Sequence, residues 1–376
     1  MSDKPKLYIA GMGMITPVGA NAKMTAAAVN AGISGYAETE FYDKLNQPII
    51  MASVPNVIFD EIDAEIGEGD RYNSRHDRVI KMAIITIREA CAQQSTKQAI
   101  PLILAMPDVP ADPDDKRLSP LIENLEHNCK LWISAEQCRS INSGRAAGIE
   151  AIDFAFNYLN DIPGDFILIG GSDSHQDYSR LNPLSEAGRL LVADNMDGFA
   201  PGEGAGFLLL TRHAGLAQVK NGHIIVINPP GVAEEAGHLH SEETYRGDGL
   251  DKAFKKALGN HPQLNLQSIY SSINNWIGNR RRCKQRMGTN LQGIDLHPVL
   301  IANHPSRSAE VLGGAGLTAP AELQRWNDTA PTVAVGMAGA PGHQAGSLQS
   351  NRAPEGGHRG HYSGYPTLGG FDQMTA

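Results

Sequence analysis

Apolar positions along the first 270 residues alternate between two spacings, and the alternation predicts an ordered series of strands and helices. Lys6 to Met12 is short, rich in β-branched and aromatic residues and closed by glycine, which predicts an opening strand. Gly11 to Gly19 reads as the loop after it, with Asn21 as the N-cap of a helix running to Asn30 and Gly32 as its stop. Asp77 to Ala92 predicts a helix that is apolar on more than one face and therefore well buried. Ile100 to Ala105 predicts a core strand, 108–117 a loop rich in Pro and Asp, and Leu131 to Ala135 a short strand. Gly144 to Leu159 carries small residues on one face, as suits a closely packed helix. Strands are predicted at Phe166 to Gly171, Phe207 to Thr211, His223 to Asn228 and Gln267 to Ile273, with a short helix at Leu250 to Leu258. Strands alternating with helices indicate a layered α/β fold.

The pattern breaks near Trp276. Arg280-Arg281-Arg282 opens a stretch rich in Gly, His, Pro and Ala, in which short apolar runs such as VLIA and TVAVGM stand alone. Two readings stay open: a disordered tail, or a shift of reading frame after about residue 276. The other two frames of the gene separate them, because only a frame shift restores a strand–helix pattern there.

Composition narrows the function classes. A hydrophobic share of 41% with a mean hydropathy of -0.27 is that of a soluble globular chain. No apolar run reaches the roughly 18 residues of a membrane span, and the N-terminal MSDKPKLYIAGMG has no export signal. A net charge of -9 speaks against nucleic acid as a partner. Cys91, Cys129, Cys138 and Cys283 show no CxxC pair, which fits free thiols in a reducing compartment. The expectation is a cytoplasmic protein with no metal and no cofactor. His238 and His240 in GHLHSEE lack a third ligand at useful spacing and read as loop histidines.

The densest chemical signal is DNMDGFAPGEGAGFLLL at 194–210. Gly202, Gly204 and Gly206 surround Glu203 ahead of an apolar strand, in what reads as a tight structural loop, with Asp194 and Asp197 ordering the turn before it. The Gly-x-Gly near the N-terminus is no dinucleotide loop: Gly19 comes too late for GxGxxG, Pro17 interrupts, and no strand-end acid follows. Three segments in order, KLYIAGMGMITPVGANAKMTAAAVNAGISGY, FILIGGSDSHQDYSRLNPLSEAGRLL and DGFAPGEGAGFLLL, instead resemble the β-ketoacyl synthases, condensing enzymes of the thiolase superfamily. Together they cover most of residues 6 to 212. The resemblance implies a five-layer α-β-α-β-α fold of two similar halves, normally dimeric across the central sheets. The N-terminal half would take residues 1–215. The C-terminal half, residues 216–376, is divergent or frame-shifted and recognisable only to about 276.

The resemblance also implies a catalytic cysteine on a turn that opens a buried helix, three residues before that helix's first glycine. Here that position is Ile141, which cannot attack a thioester. Cys138, followed by Arg139, is the alternative nucleophile; the plainer reading is a structural thiol, with Ser140 and Ser143 as cap and packing residues. Of the family's two C-terminal histidines, His304 faintly echoes the first, and His343 in GHQAG matches half of the second motif. The lysine expected just before it is replaced by Ala338. Phe199 resembles the aromatic that lines the family's acyl entrance, and Glu203 holds the loops by accepting backbone N–H groups. The preferred expectation is a condensing-enzyme homologue that has lost condensation and binds an acyl chain or a partner, as chain-length factors do. The alternative is an active acyltransferase, a 3-oxoacyl-ACP synthase using Cys138. Either way an acyl carrier protein or acyl-CoA is the expected partner, within a homo- or heterodimer.

Overall fold

The computed structural model describes residues 6–66, 74–94, 99–106, 121–129, 133, 135–143, 146–161, 164–195, 198–220, 222–234, 236, 246–259, 268–270, 300–303 and 332–339. All of these lie within one compact unit, residues 1–341. The strands β1 (Leu7–Ile15), β4 (Leu102–Ala105), β5 (Arg139–Ile141), β6 (Phe166–Ser174), β7 (Glu203–Thr211), β8 (Val226–Glu234), β9 (Ser268–Tyr270), β10 (Leu300–Asn303) and β11 (Thr332–Gly339) form one sheet. Its order is β5-β4-β6-β7-β1-β8-β11-β10-β9. β4 runs parallel to β5 and β6, whereas β7 is antiparallel to both β6 and β1. A separate hairpin pairs β2 (Tyr36–Tyr42) with β3 (Pro48–Ala52).

Helices cover both faces. Because strand side chains alternate, Leu102, Leu104, Leu168, Phe207 and Leu209 pack toward α3 (Ser74–Cys91). Their neighbours Ile103, Ile167, Ile169, Leu208 and Leu210 pack toward α5 (Ala147–Asp161). Every residue of β7 is buried, since it runs at the centre of the sheet between two helix layers. α1 (Ala22–Asn30) starts where the sequence predicts, with Asn21 Oδ1 accepting the Met24 N–H at 2.9 Å. Gly32 ends it at φ 69°, a left-handed conformation natural to glycine.

The glycine-rich segments differ from the sequence reading. β1 does not stop at Met12 but runs to Ile15, paired with β7 from Tyr8–Thr211 to Ile15–Ala205. The reason is packing rather than turning: a Cβ on Gly11 would lie 2.0 Å from the Ala90 carbonyl oxygen, and one on Gly13 1.9 Å from that of Thr86. The glycines let α3 lie directly on the strand. β8 and α7 (Asp248–Gly259) repeat the device, since a Cβ on Gly231 would meet the Ala253 carbonyl oxygen at 2.0 Å. Likewise Glu203, Gly204 and Gly206 belong to β7 rather than to a loop before it, and Gly202 bridges to Ala52.

Other departures have equally local causes. β8 continues through Pro229 and Pro230 to Glu234, because the prolines oppose the single residue Gly336 in a bulge of the β8–β11 pairing. The TVAVGM run therefore does not stand alone but lies within β11. The strand expected at Leu131 to Ala135 reduces, among described residues, to one bridge between Ile133 and Ile100; the edge strand is Arg139–Ile141, which has no apolar alternation to announce it. α2 (Asp60–Ile66), α4 (Leu121–Asn128), α6 (Tyr178–Glu186) and the β2–β3 hairpin were not foreseen. α6 contains Pro183, which masks its helical period, and is started by Asp177 Oδ1 accepting the Ser179 N–H at 2.7 Å. The proposed frame change after 276 falls mostly outside the described residues.

Gly13→Ala tests the close approach. Urea denaturation is expected to show a loss of roughly 2–3 kcal/mol as strand and helix are forced apart. Gly215→Ala, where nothing lies within 4 Å of the added carbon, should stay within about 0.5 kcal/mol of the parent. Equal effects at both positions would refute the packing role.

Candidate functional site at the ends of strands 6 and 7

Glu203 opens β7 and is fully buried, so its carboxylate must be satisfied from within the protein. Five bonds do this. Val54 N–H donates to Oε1 at 2.7 Å, and the Gln176 amide donates to the same oxygen at 3.0 Å. The Ser174 hydroxyl donates to Oε2 at 2.7 Å, and Arg78 reaches both oxygens, at 2.8 and 2.5 Å. The Arg78 guanidinium has further partners: it donates to the Val54 carbonyl and to Asn56 Oδ1, each at 2.6 Å, and lies 4.8 Å over the Phe59 ring. A bidentate guanidinium–carboxylate pair of this geometry is a strong, orienting contact.

Arg75, one helical turn before Arg78 on α3, grips the end of the neighbouring strand. It donates to Asp173 Oδ1 at 2.6 Å and to the Ser174 carbonyl at 2.8 Å, and Asp173 also accepts the Ser174 N–H. Both partners of this ion pair are buried. Sequence reasoning placed Glu203 in a structural role and missed its partners. The legible signal was a pair of arginines three apart, in RHDR, directly before an apolar helical run.

His175 follows β6 with its N–H donating to the Gly202 carbonyl at 3.1 Å. Its ring lies against Phe199, centroids 5.7 Å apart and tilted by 60°. Both side chains are buried. Phe199 is held by the pairing of its own backbone with Arg189 and Leu191, each bond 2.7 Å. Asp194, by contrast, is exposed and exchanges side-chain contacts with Gln47 at the hairpin tip.

Ile141 ends β5, with its carbonyl accepting the Met106 N–H at 2.8 Å, and its half-buried side chain packs into the apolar cluster on the α5 side. Cys138 lies in the cluster on the other face of the sheet, with Cys91 and Cys129. An offset of three residues along an extended segment reverses the face, which separates the two positions. Burial pushes the Cys138 thiol up to about 11, outweighing its backbone hydrogen bond at Leu102 and the nearby Arg139. Ser143 donates to the Glu150 carboxylate in the first turn of α5 at 2.5 Å, a side-chain contact and not a bond to a helix-end N–H. Phe199 and Glu203 thus gather at the β6–β7 ends. Asp197, His304, His343, His238 and His240 fall outside the described residues. Among the described residues no three His, Cys, Asp or Glu side chains are grouped to hold a metal ion. No helix there is long and apolar enough to cross a membrane.

No protein-family model matches the sequence, and no curated protein does. Solved structures do match the fold. A type II PKS ketosynthase in complex with its acyl-carrier protein aligns over 80% of this chain and 81% of its own, at 16% identity and a TM-score of 0.58. The ishigamide ketosynthase/chain length factor aligns over 85% and 84%, at 17% identity and a TM-score of 0.56. A beta-ketoacyl synthase from Burkholderia phymatum aligns over 76% and 78%, at 14% identity and a TM-score of 0.51. The fold of this chain is therefore the thiolase-like fold of the ketosynthases.

Glu203→Ala would strand Arg78 without its carboxylate and is expected to cost roughly 3–5 kcal/mol in urea denaturation at neutral pH. Adding Arg78→Met to it should restore part of that loss, since the uncompensated cation goes too. Strict additivity of the two single changes would contradict the pairing.

Proposed function

We propose that this protein is a ketosynthase-fold chain that binds an acyl group, or a partner carrying one, and does not catalyse condensation. One observation carries the reading: the position where the family's nucleophile is expected holds Ile141, an apolar side chain packed into the core beside α5. In a condensing enzyme a thiolate must first attack the donor thioester, taking the acyl group and releasing the donor's thiol, before a carbanion can attack that acyl group to form the carbon–carbon bond. The thiol nearest in sequence, Cys138, lies on the opposite face, and burial raises it well above its ordinary value. Phe199 supplies an aromatic wall at the position that resembles the family's acyl entrance. Its contact with the imidazole of His175 gives that wall a polar neighbour. Two of the similar solved structures are, by their descriptions, a ketosynthase with its acyl-carrier protein and a ketosynthase with a chain length factor. They motivate an acyl carrier, or a second ketosynthase-fold subunit, as the partner. The two-half division near residue 215 belongs to the same reading, with α7 seated on a glycine of β8 as α3 is seated on the glycines of β1.

The other reading, an acyltransferase with Cys138 as nucleophile, has Arg139 in its favour, but the guanidinium lowers the thiol less than burial raises it. Intact-mass spectra after incubation with acyl-CoA and acyl-carrier donors distinguish the two. No adduct is expected, and Cys138→Ala should change nothing. Alkylation of Cys138 in the folded protein should be slow at pH 8 and accelerate about tenfold per pH unit toward pH 11, following thiolate population. A stable acyl adduct on Cys138 would overturn the binding reading in favour of the enzyme.

The dimer has its own test. β5 is an edge of the sheet, and Arg139 and Ser140 are exposed. Because Ile141 turns its carbonyl toward β4, alternation turns the Ser140 N–H and C=O outward, ready to pair across an edge. Ser140→Pro removes only an outward donor. Light scattering should report a dimer for the parent and a folded monomer for the variant; a variant that stays dimeric rules this edge out.

A further inference from the structure

The β2–β3 hairpin, α6 and residues 188–195 and 198–201 have an apolar cluster of their own. Ile49, Met51, Leu181, Leu184, Leu190 and Val192 form it, with Phe41 against it, and it shares no residue with the clusters on the two faces of the large sheet. Backbone bonds unite the parts: Ile50 N–H donates to the Leu191 carbonyl at 3.0 Å, and Ala52 N–H to that of Pro201 at 2.9 Å. Across the exposed hairpin tip, Lys44 N–H donates to Ser185 Oγ at 2.7 Å, Lys44 Nζ to the Glu186 carbonyl at 2.8 Å, and Gln47 meets Asp194.

The chain passes between this module and the large sheet at points gripped by one carboxylate. Val54 lies just beyond β3, Ser174 and Gln176 lie just before α6, and Glu203 lies just after Pro201 and Gly202. Glu203 bonds to the other three, and Arg78 ties Val54 and Glu203 to α3. A module with a separate core and a clamped boundary is a cooperative unit able to open without the rest. The module carries Phe199, fixed by Arg189 and Leu191 within it, and lays that ring against His175 at the end of β6.

We propose that this module is a lid that opens by unfolding as one unit at the Glu203–Arg78 anchor, taking Phe199 off His175 while the nine-stranded sheet stays folded. That the uncovered surface receives an acyl chain rests on the function proposed above; the opening itself does not.

Native-state hydrogen exchange of the full chain tests it. The amides of Ile50, Leu191 and Phe199 are expected to exchange together, faster than those of Leu208 and Leu210 in β7. Val192→Ala, inside the lid cluster, should accelerate the first three about tenfold and leave the β7 amides unchanged. Gln47→Ala, on the exposed tip, should do the same by about threefold without endangering the fold. If either variant accelerates all five amides alike, or if all five are equally protected in the parent, the lid is overturned. Octanoyl-CoA forms a separate arm. Faster exchange at the three lid amides supports the acyl site, because a ligand received only by the uncovered surface favours the open state, whereas unchanged exchange there sinks the acyl reading and leaves the opening established.

Discussion

The bidentate contact between Arg78 and Glu203 fixes how the pieces of this protein meet. A carboxylate with no solvent access is tolerable only when every lone pair has a donor. Here the donors come from the segment after β3, from α3 and from the end of β6. Satisfying one acid therefore sets the relative position of a helix, two strands and a hairpin. Arg75 and Asp173 add a second buried pair one helical turn away, so that α3 is fastened to the strand ends at two successive points.

Close backbone approach along the rest of α3 works with this fastening. Gly11 and Gly13 bring β1 against the carbonyls of Ala90 and Thr86, and Glu89 accepts the N–H groups of Met14 and Ala22 at 2.9 and 3.0 Å. Burial raises the Glu89 carboxyl above its usual range, although those bonds and Lys23 pull it down. The same helix thus seats the central strand, the start of α1 and the polar anchor of the lid. Rigidity is concentrated in that layer, while the outlying hairpin and α6 rest on a small cluster and on exposed polar contacts.

The site divides in the same way. Phe199, His175 and Glu203 come together because β6 and β7 are adjacent and antiparallel, with Ser174 opposite Glu203 in register. Ile141 and Cys138, three residues apart in sequence, are sent to opposite faces because β5 is extended rather than helical there.

The sequence by itself determined the elements whose signals are local. Asn21 as an N-cap, Gly32 as a stop, the buried period of α3 and the apolar runs of β4, β6 and β7 all act over a few residues. Their order was enough for the ketosynthase resemblance. Tertiary structure decided what depends on distant partners. Glycines that read as turns are strand residues because a helix lies on them, and Pro229-Pro230 stays in β8 because a bulge opposite absorbs it. β5 is a strand only because β4 pairs with it. Glu203 looked like one acid in a glycine loop; its five donors come from residues 27 to 149 positions away, and no pattern in a short window records such partners. Local periodicity reports which face of an element is apolar, whereas satisfaction of a buried charge is a property of the assembled fold.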